Sequence, residues 1–513
     1  MVDELLALDE GVDAWDGNSM TQFKLKAWVT MVTGDGPALA DAIGMKRPGN
    51  AFRPCRTCEV KAEIGQNHYY VPHSDYNFEN PPLRHGLRRT IKDVEVADSE
   101  ESRKLAGITR SSILLELRSL HFPRSFPADI MHLVLQNVAP TLYKLWTKKK
   151  LPIDKRSHRN FTPQAYHLDN ASIDEISSAM LAARGGIPTY LSNTPRRIDN
   201  HHKGFKAAEW EAWVKLFGVP LLDQRLDDSC VDNFRLLSCI YSLSTQMSLR
   251  HSEVVILDDL VVRFVRSYED IYYRRDPQRI SVCSVNIHYL LHLPLYIRDC
   301  GPARYWWQFP MERFCGILKP KARSKSHMNT SLANGLVTAE YLNHAQFSRL
   351  RPAPQPTTYP ILLDKYKKSL GLSEQQHSGL VQQYGERSTR VVYFYKRCQI
   401  RDDLTIGSAK SQRRGDITRS SSKICYFRAE DSWMEFGIVK FFIEAVDQLR
   451  IRKFAWIQTL QDIDMDHAKR TCSYGSKGNH RWIEVGQIQS LIGLVHEGGV
   501  KFVVTDINLF DYG

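Results

Sequence analysis

The chain has 513 residues, 42% of them apolar and 25% charged. That length suggests two to four folding units, and the composition excludes a largely disordered or collagen-like chain. Lys and Arg number 69 against 57 Asp and Glu, a net charge of +12, which favours a polyanionic partner without naming one. The start, Met1-Val-Asp-Glu-Leu-Leu, carries acids where a secretory signal carries lysines, and no stretch offers about 18 uninterrupted apolar residues, so a soluble intracellular protein without a membrane partner is expected. Ten cysteines are too sparse for a disulfide scaffold.

Taken in chain order, Phe23, Leu25, Ala27, Val29 and Met31 alternate with Lys24, Lys26 and Trp28. This two-residue period predicts a strand over Phe23 to Val32, entering the turn Thr33-Gly-Asp-Gly-Pro37 with Asp35 at its C-terminal end. Residues 48–90 are rich in Pro, Gly, Asn, His and Arg and lack periodicity, so they need something other than a core to hold them, a metal being one candidate. From Ile108 to about Leu350 the pattern is helical: Ile113, Leu114, Leu117 and Leu120 recur at three and four, and Ser172 with Glu175 reads as a capping box. The helical pattern is interrupted by Gly185 to Gly204, which includes His201-His202, and by the proline-rich Arg351 to Pro360, a stiff linker. Beyond Arg390 come short strand-like runs, Ile424 to Phe427, Phe436 to Ile443, Lys453 to Leu460, Trp482 to Leu494 and Val500 to Ile507, as in a small β barrel or sandwich.

Cys55-Arg-Thr-Cys58 has the gap that lets one turn present two thiolates to a tetrahedral zinc, but it is half of a closed site. His288-Tyr-Leu-Leu-His292 places two imidazoles on one face of a helix, as a shared metal requires; equally, both are polar interruptions beside the apolar face Ile287, Leu290, Leu291 and Leu295. Glu312 follows Pro310 in the first turn of a predicted helix whose Phe314, Ile317 and Leu318 suit a buried face. A glutamate there is ordinarily a dipole-stabilising surface group; its functional reading is that folding joins it to Asp35 in a divalent-metal site for phosphoryl transfer. The basic clusters Lys148-Lys149-Lys150, Arg274-Arg275, Arg413-Arg414 and Lys319, Lys321, Arg323 and Lys325 suit either a nucleic-acid backbone or a solvated face. The last is the most suggestive, because cations beside a metal site would hold a phosphate strand next to it. The other cysteines, Cys230, Cys239, Cys283, Cys300, Cys315, Cys398, Cys425 and Cys472, read as small buried residues or incidental thiols.

Phe23 to Cys58, with Gly34-Asp-Gly-Pro-Ala38 and Gly44, resembles the region around the second catalytic aspartate of CACTA-type (En/Spm-like) DNA transposases. Three further blocks resemble the same family in the same order: Phe126-Pro-Ala-Asp-Ile-Met-His132 with Asn137, Gly204 to Trp210, and His288 to Lys319. Together they span roughly residues 20–345.

The resemblance implies a mixed α/β and mainly α chain: a partial ribonuclease-H-like transposase core interrupted by a helical insertion, similar in plan to the V(D)J recombinase, followed by a small C-terminal β domain. The implied division is 1–60 for the first part of the core, 61–285 for the insertion, 286–350 for the core's C-terminal part, 351–389 for a linker and 390–513 for the β domain. Asp35 and Glu312 would be the second and third acidic ligands of catalytic Mg2+ or Mn2+, and Cys55, Cys58, His288 and His292 would share a structural zinc. Lys319, Lys321, Arg323 and Lys325 would contact DNA. Asp129, His132 and Asn137 match a family block whose role does not follow from the residues; packing of an amphipathic helix explains them equally.

The departure is that only 34 residues precede Asp35, too few for the strands that carry the family's first catalytic aspartate, and neither Asp13 nor Asp16 is placed to replace it. With one shared carboxylate missing, two metal ions lose their common clamp, so strand cleavage by this chain alone is not expected. The expectation is therefore a nuclear, transposon-derived protein bound to transposon-end DNA, its ancestral reaction metal-dependent strand cleavage and transfer, with homo-oligomerisation left open. The alternative is a non-catalytic DNA-binding or protein-interaction module; an unrelated zinc-stabilised structural protein is a third.

Overall fold

The computed structural model describes residues 2–65, 68–73, 88–90, 99–147, 166–324, 326–347, 359–369, 372–384, 392–402, 404–409, 421–428, 430, 433–447, 450–467 and 471–505. The chain divides into two units, Met1–Leu168 with Leu226–Leu332, and Asp169–Arg225 with Ala333–Gly513. The segment Asp169–Arg225, read from sequence as part of the helical insertion, groups with the C-terminal unit. Of the sequence-predicted linker, 351–389, residues 351–358 lie outside the described residues, as do the clusters Lys148–Lys150 and Arg413–Arg414 and Lys325, while Ile361–Ser369 forms a strand of the main sheet and Glu374–Tyr384 a helix, so that part is not a linker.

In the first unit, helix Val2–Glu10 leads into an antiparallel hairpin of β1 (Val12–Asp16) and β2 (Thr21–Leu25). Here the predicted strand is corrected: it ends at Leu25, and residues 26–35 form no ladder. Their backbone groups are satisfied one at a time, Ala27 N–H by Leu8 O, Val32 N–H by Ser125 O and Val29 O by the Ser119 hydroxyl. A strand persists only where a neighbour completes its ladder, and this segment meets a helix end and turns instead. Helix Gly36–Ile43 begins at Asp35 and stops at Gly44, whose φ of 74° and close approach to Arg110 exclude a side chain: a Cβ there would lie 2.0 Å from the Arg110 carbonyl oxygen. Its buried Leu39, Ala40 and Ile43 pack with Met45, Ile108, Leu117, Leu120, Phe122 and Phe126. Residues 46–62 are irregular, and a short hairpin follows, β3 (Glu63–Gly65) with β4 (His68–Tyr70).

The rest of this unit is helical. Asp227 caps helix Asp228–Ser244, whose Val231, Phe234, Leu237 and Tyr241 recur at three and four and are buried. Helix His251–Tyr268 packs on it through an equivalent stripe, Val254, Leu257, Val261, Phe264 and Tyr268. Helices Val285–Leu290 and Leu293–Cys300 complete the bundle. Helix Phe309–Leu318 corrects the sequence reading: Met311, Phe314 and Ile317 are exposed and no residue of it is buried. Amphipathic spacing shows which face would be covered, not that a cover exists.

In the second unit, helix Asn170–Ala182 is capped by Asp169, which accepts from Ser172 N–H at 2.7 Å, so the predicted Ser172–Glu175 box gives way to a cap three residues earlier. The main sheet contains β5 (Ile361–Ser369), β6 (Val392–Arg401), β7 (Leu404–Gly407), β8 (Lys423–Phe427), β9 (Met434–Asp447), β10 (Arg450–Asp466), β11 (Thr471–Glu484), β12 (Ile488–Leu491), β13 (Gly493–Glu497) and β14 (Val500–Val504). Its order is β12-β8-β9-β10-β11-β14-β13, with β6 also on β9 and carrying β5 and β7. The two ends of this path, β12 and β13, are consecutive in the chain, so the sheet curls back on itself; Ile492 N–H bonds Lys423 O at the closure. Inside lie Ile424, Tyr426, Val439, Phe442, Ile457 and Ile483, and helix Glu374–Tyr384 covers Trp456 and Trp482, whose indole N–H reaches Gln376 O at 2.8 Å.

Candidate metal centre and adjoining acidic pocket

Cys55 and Cys58 leave a loop with no regular structure, while His288 closes helix Val285–Leu290 and His292 starts helix Leu293–Cys300. The expected single helix is thus broken into two, yet the imidazoles remain neighbours, their Nε2 atoms 3.1 Å apart. Cys55 Sγ lies 3.4 Å from His292 Nε2 and Cys58 Sγ 3.2 Å from His288 Nε2. The four ligand atoms all lie within 4.8 Å of one another, and all four residues are buried. A tetrahedral zinc with Zn–S near 2.3 Å and Zn–N near 2.0 Å has edges of roughly 3.3–3.8 Å, so two thiolates and two imidazoles at this spacing fit that ion. The apolar residues Ile287, Leu290 and Leu291 are buried as well, so the histidines are not polar interruptions on an exposed face.

The protonation states suit a metal. Burial alone pushes the Cys55 thiol up, but the Cys58 contact and the adjacent His292 and His288 imidazoles outweigh it and hold the thiol well below its ordinary range. Burial keeps His288 neutral, its pKa down at about 4. Glu269 accepts from His73 N–H and from His73 Nδ1, both at 2.8 Å, and His73 Nε2 stands 3.1 Å from His288 Nδ1. Because a carboxylate only accepts, His73 carries its proton on Nδ1 when neutral, accepts from His288 Nδ1–H, and leaves His288 Nε2 bare toward the sulfurs. Sequence spacing gave no sign of Glu269 or His73.

The thiolate loop is fastened at further points. Tyr289 hydroxyl accepts from Arg56 N–H and donates to Pro54 O, each at 3.3 Å, and the Arg56 guanidinium lies over the Tyr289 ring while its Nε–H donates to Phe126 O at 2.9 Å. Thr57 Oγ1 and the Tyr296 hydroxyl are 2.5 Å apart.

Arg56 also lines a pocket of about 370 Å³ with Gly34, Gly36, Arg47, Asp129, His132, Asn137, Asn286 and Tyr289 among its walls. Asp35 sits between two of these glycines and caps its helix, its Oδ1 accepting Ala38 N–H at 2.6 Å. Buried Asp129 Oδ2 accepts from His132 N–H at 2.8 Å and meets His132 Nδ1 at 2.6 Å, at the start of a helix that runs in wide π turns over Met131–Val138. His132 Nε2 faces Glu312 Oε1 at 3.6 Å. Gln308, the cap of the Glu312 helix, ties the parts together: its N–H donates to Asp129 Oδ1 at 2.9 Å and its amide to Thr33 Oγ1 at 2.6 Å. Burial disfavours a charge on His132, but the Asp129 hydrogen bond and the fields of Asp129, Asp35 and Glu312 outweigh it and raise the imidazole above its ordinary value. Glu312 thus meets the His132 imidazole directly, while Asp35 acts on it through its field. Asp35 is half-buried and Glu312 is largely exposed. The signal available in the sequence was the i,i+3 spacing of Asp129 and His132 on one helical turn.

Lys319 and Lys321 occupy a 3₁₀ turn that follows the Glu312 helix, and Arg323 N–H is held by the Ser331 hydroxyl at 3.0 Å. The structure therefore keeps these cations close in sequence to Glu312.

A family model described as a domain of unknown function (DUF4218) matches residues 244–349, about a fifth of the chain. The matched segment carries His288, His292 and Glu312. This domain is found in plant transposase-derived proteins, which supports a transposon-related origin. No curated protein and no solved structure matches the chain. Among the described residues no helix is long and apolar enough to cross a membrane.

Proposed function

We propose that this chain is a transposase-derived, nuclear, DNA-associated protein of the CACTA type. In this reading a structural zinc on Cys55, Cys58, His288 and His292 holds an acidic pocket that takes a divalent ion, Mg2+ or Mn2+, against a DNA phosphate. The observation that carries the reading is the convergence of Asp35 and Glu312, from opposite ends of the first unit's sequence, on His132. Asp129 holds His132 in place, and a cationic imidazole with Arg56 and Arg47 along the pocket supplies the positive field that a phosphodiester requires. The ion would polarise the phosphoryl oxygens; the chain's own part is to orient the phosphate and to place the carboxylates. Lys319, Lys321 and Arg323 would follow the DNA strand beyond the pocket. Asp35 and Glu312 would supply two carboxylates toward that divalent ion, and the reading assigns to this pocket the binding of ion and phosphate.

A second reading, a non-catalytic DNA-binding or protein-interaction module, is favoured by one feature: Asp35 Oδ1 is already engaged as a helix cap. Manganese binding followed by electron paramagnetic resonance separates the two. The first reading expects the zinc-loaded protein to hold Mn2+ and to lose it in the Asp35→Asn, Glu312→Gln double variant with zinc content unchanged. No bound Mn2+ in the parent, or retention in the variant, removes the divalent-ion pocket and leaves the second reading.

A further inference from the structure

The curled sheet of the second unit plays no part in the pocket, and its charges are arranged in a way that the sequence conceals. Residues 421–505 contain eleven Lys and Arg against ten Asp and Glu, so the segment as a whole is nearly neutral. The strand register nevertheless collects one sign on one surface. Lys423 on β8 pairs with Ile438 of β9, two residues before Lys440. Lys440 is the extra residue where the β9–β10 register slips, since Phe441 faces Trp456 and Val439 faces Ile457. Across β10, Lys477 pairs with Leu460 and His480 with Gln458, on either side of a second slip that leaves Gly478 and Asn479 opposite Thr459. On the far strands His496 pairs with Lys501.

These groups feel one another. Burial first, and then the positive charge of Lys477, lower both Lys423 and Lys440, Lys423 to about 8. Burial, with Lys440 for His480 and with Lys501 and Lys423 for His496, lowers the two imidazoles as well. Three glutamates of the same sheet are committed to arginines, Glu435 to Arg428 and Arg481, Glu484 to Arg452, and Glu497 to Arg225, while Glu444 accepts from the Tyr395 hydroxyl and Asp462 from the Ser476 hydroxyl. Among the described residues no carboxylate forms an ion pair with Lys423, Lys440 or Lys477. Lysines drawn together without a counter-charge weaken the fold, because like charges in a partly desolvated place repel. An anionic partner would remove that penalty.

We propose that this face, Lys423, Lys440 and Lys477 flanked by His480, His496 and Lys501, binds the phosphate backbone of a nucleic acid. Lys423 and Lys440 lie on adjacent strands about 4.8 Å apart and two residues out of level, so roughly 8 Å separates them, close to the spacing of successive phosphates, while Lys477, two strands beyond Lys440 and about four residues along, would meet a phosphate further on. The ladder partners of Lys423 and Lys477 are apolar, Ile438 and Leu460, so the lysines rim an apolar cluster, and polar groups lie beside them: Gln458 and Thr459 are turned toward Gly478 O and Asn479 O, and His480 stacks on Trp456 with ring centroids 5.7 Å apart. This site is separate from the acidic pocket and does not depend on the reading given for it.

The test uses the full chain and a fluorescein-labelled 20-base-pair duplex, with anisotropy followed from 50 to 200 mM KCl. Replacing Lys423, Lys440 and Lys477 by Gln is expected to weaken binding at least about tenfold and to flatten the log–log salt slope by about 2 to 3, near 0.9 per lost phosphate contact. The matching Lys→Arg triple variant should bind as the parent does. Because Lys423 is half-buried, the pair Lys440→Gln with Lys477→Gln, which leaves it in place, should still flatten the slope by about 2. Lys104→Gln, which removes an exposed cation of helix Glu100–Ala106 outside both sites, should leave affinity and slope unchanged, and omitting Mg2+ and Mn2+ throughout keeps the acidic pocket's ion out of the measurement. Unchanged affinity and slope in the triple and double variants, no rescue by arginine, or displacement of the duplex by polyglutamate as readily as by unlabelled DNA of equal charge would each overturn the proposal.

Discussion

The metal cluster and the acidic pocket lie in the same unit, share Arg56 as a wall, and are built in opposite ways. The cluster takes four buried ligands from two segments far apart in sequence and backs one imidazole with a second imidazole and a carboxylate. Beside the pocket Asp35 is half-buried and Glu312 largely exposed; Glu312 faces His132, and Gln308 bonds Asp129 and Thr33. A structural ion stabilises most when its ligands are dry and cannot be replaced by water, whereas an ion that must meet a substrate needs open positions. On the proposed reading the two regions differ as holding an ion differs from exchanging one, and that can be tested from each side.

The largest effect is expected at the cluster. Removing the ion with a chelator, or replacing Cys58 by Ser, should cost on the order of 5 kcal/mol, less than the 10–16 kcal/mol found when zinc alone organises a peptide, because this unit also has an apolar core. Calorimetry of the zinc-loaded and stripped protein measures it. An unfolding transition indifferent to zinc would mean that the four residues are merely packed together.

A smaller effect belongs to the residues behind the ligand. Glu269→Ala leaves His73 free to turn and His288 without a fixed tautomer, and should lower zinc affinity about 10- to 100-fold, with Glu269→Gln in between. Competition against a chromophoric chelator reads this directly. If both variants bind as tightly as the parent, the hydrogen-bonded chain from Glu269 to His288 is incidental to the cluster.

The cluster was partly legible in the sequence: the gap between Cys55 and Cys58 is what one turn needs to present two thiolates to a metal, whereas His288 and His292 suited a packed helix equally, and only the family resemblance joined the four. Glu269 and His73 were not legible, since each is a lone residue in unremarkable surroundings and only the folded bundle sets them side by side. Asp35 and Glu312 could be named, but Asp129 and His132 stood as a block without a role: their i,i+3 spacing says that they share a turn and not what faces it. The strand read over Phe23 to Val32 shows a different limit. Alternation is a property of one segment, while a ladder is a property of two, and beyond Leu25 the partner is absent from the register. The buried stripe read into Phe314 and Ile317 fails in the same way, by assuming a neighbour. The lysines of the curled sheet lie so far apart in the chain that only strand pairing and its two slips bring them together.

The smallest effect sharpens the comparison from the pocket's side. His132 is raised above its ordinary value because the Asp129 hydrogen bond and the fields of Asp129, Asp35 and Glu312 outweigh its burial. A group whose folded pKa exceeds its unfolded one stabilises the fold fully below the unfolded value, about 6.5 for histidine, and loses that contribution as pH rises through the folded value. A hydrogen bond to a charged group contributes about 1.5–3 kcal/mol. The stability difference between parent and His132→Gln should therefore be greatest near pH 6 and shrink as the pH is raised toward 9, measured by urea unfolding at fixed zinc. Divalent ion in the pocket should oppose the trend, because a cation near Asp35 and Glu312 cancels the field that favours imidazolium. A difference that is flat with pH, or that grows as the pH rises, would show that His132 is held by packing and that the acids around it do not act as one site.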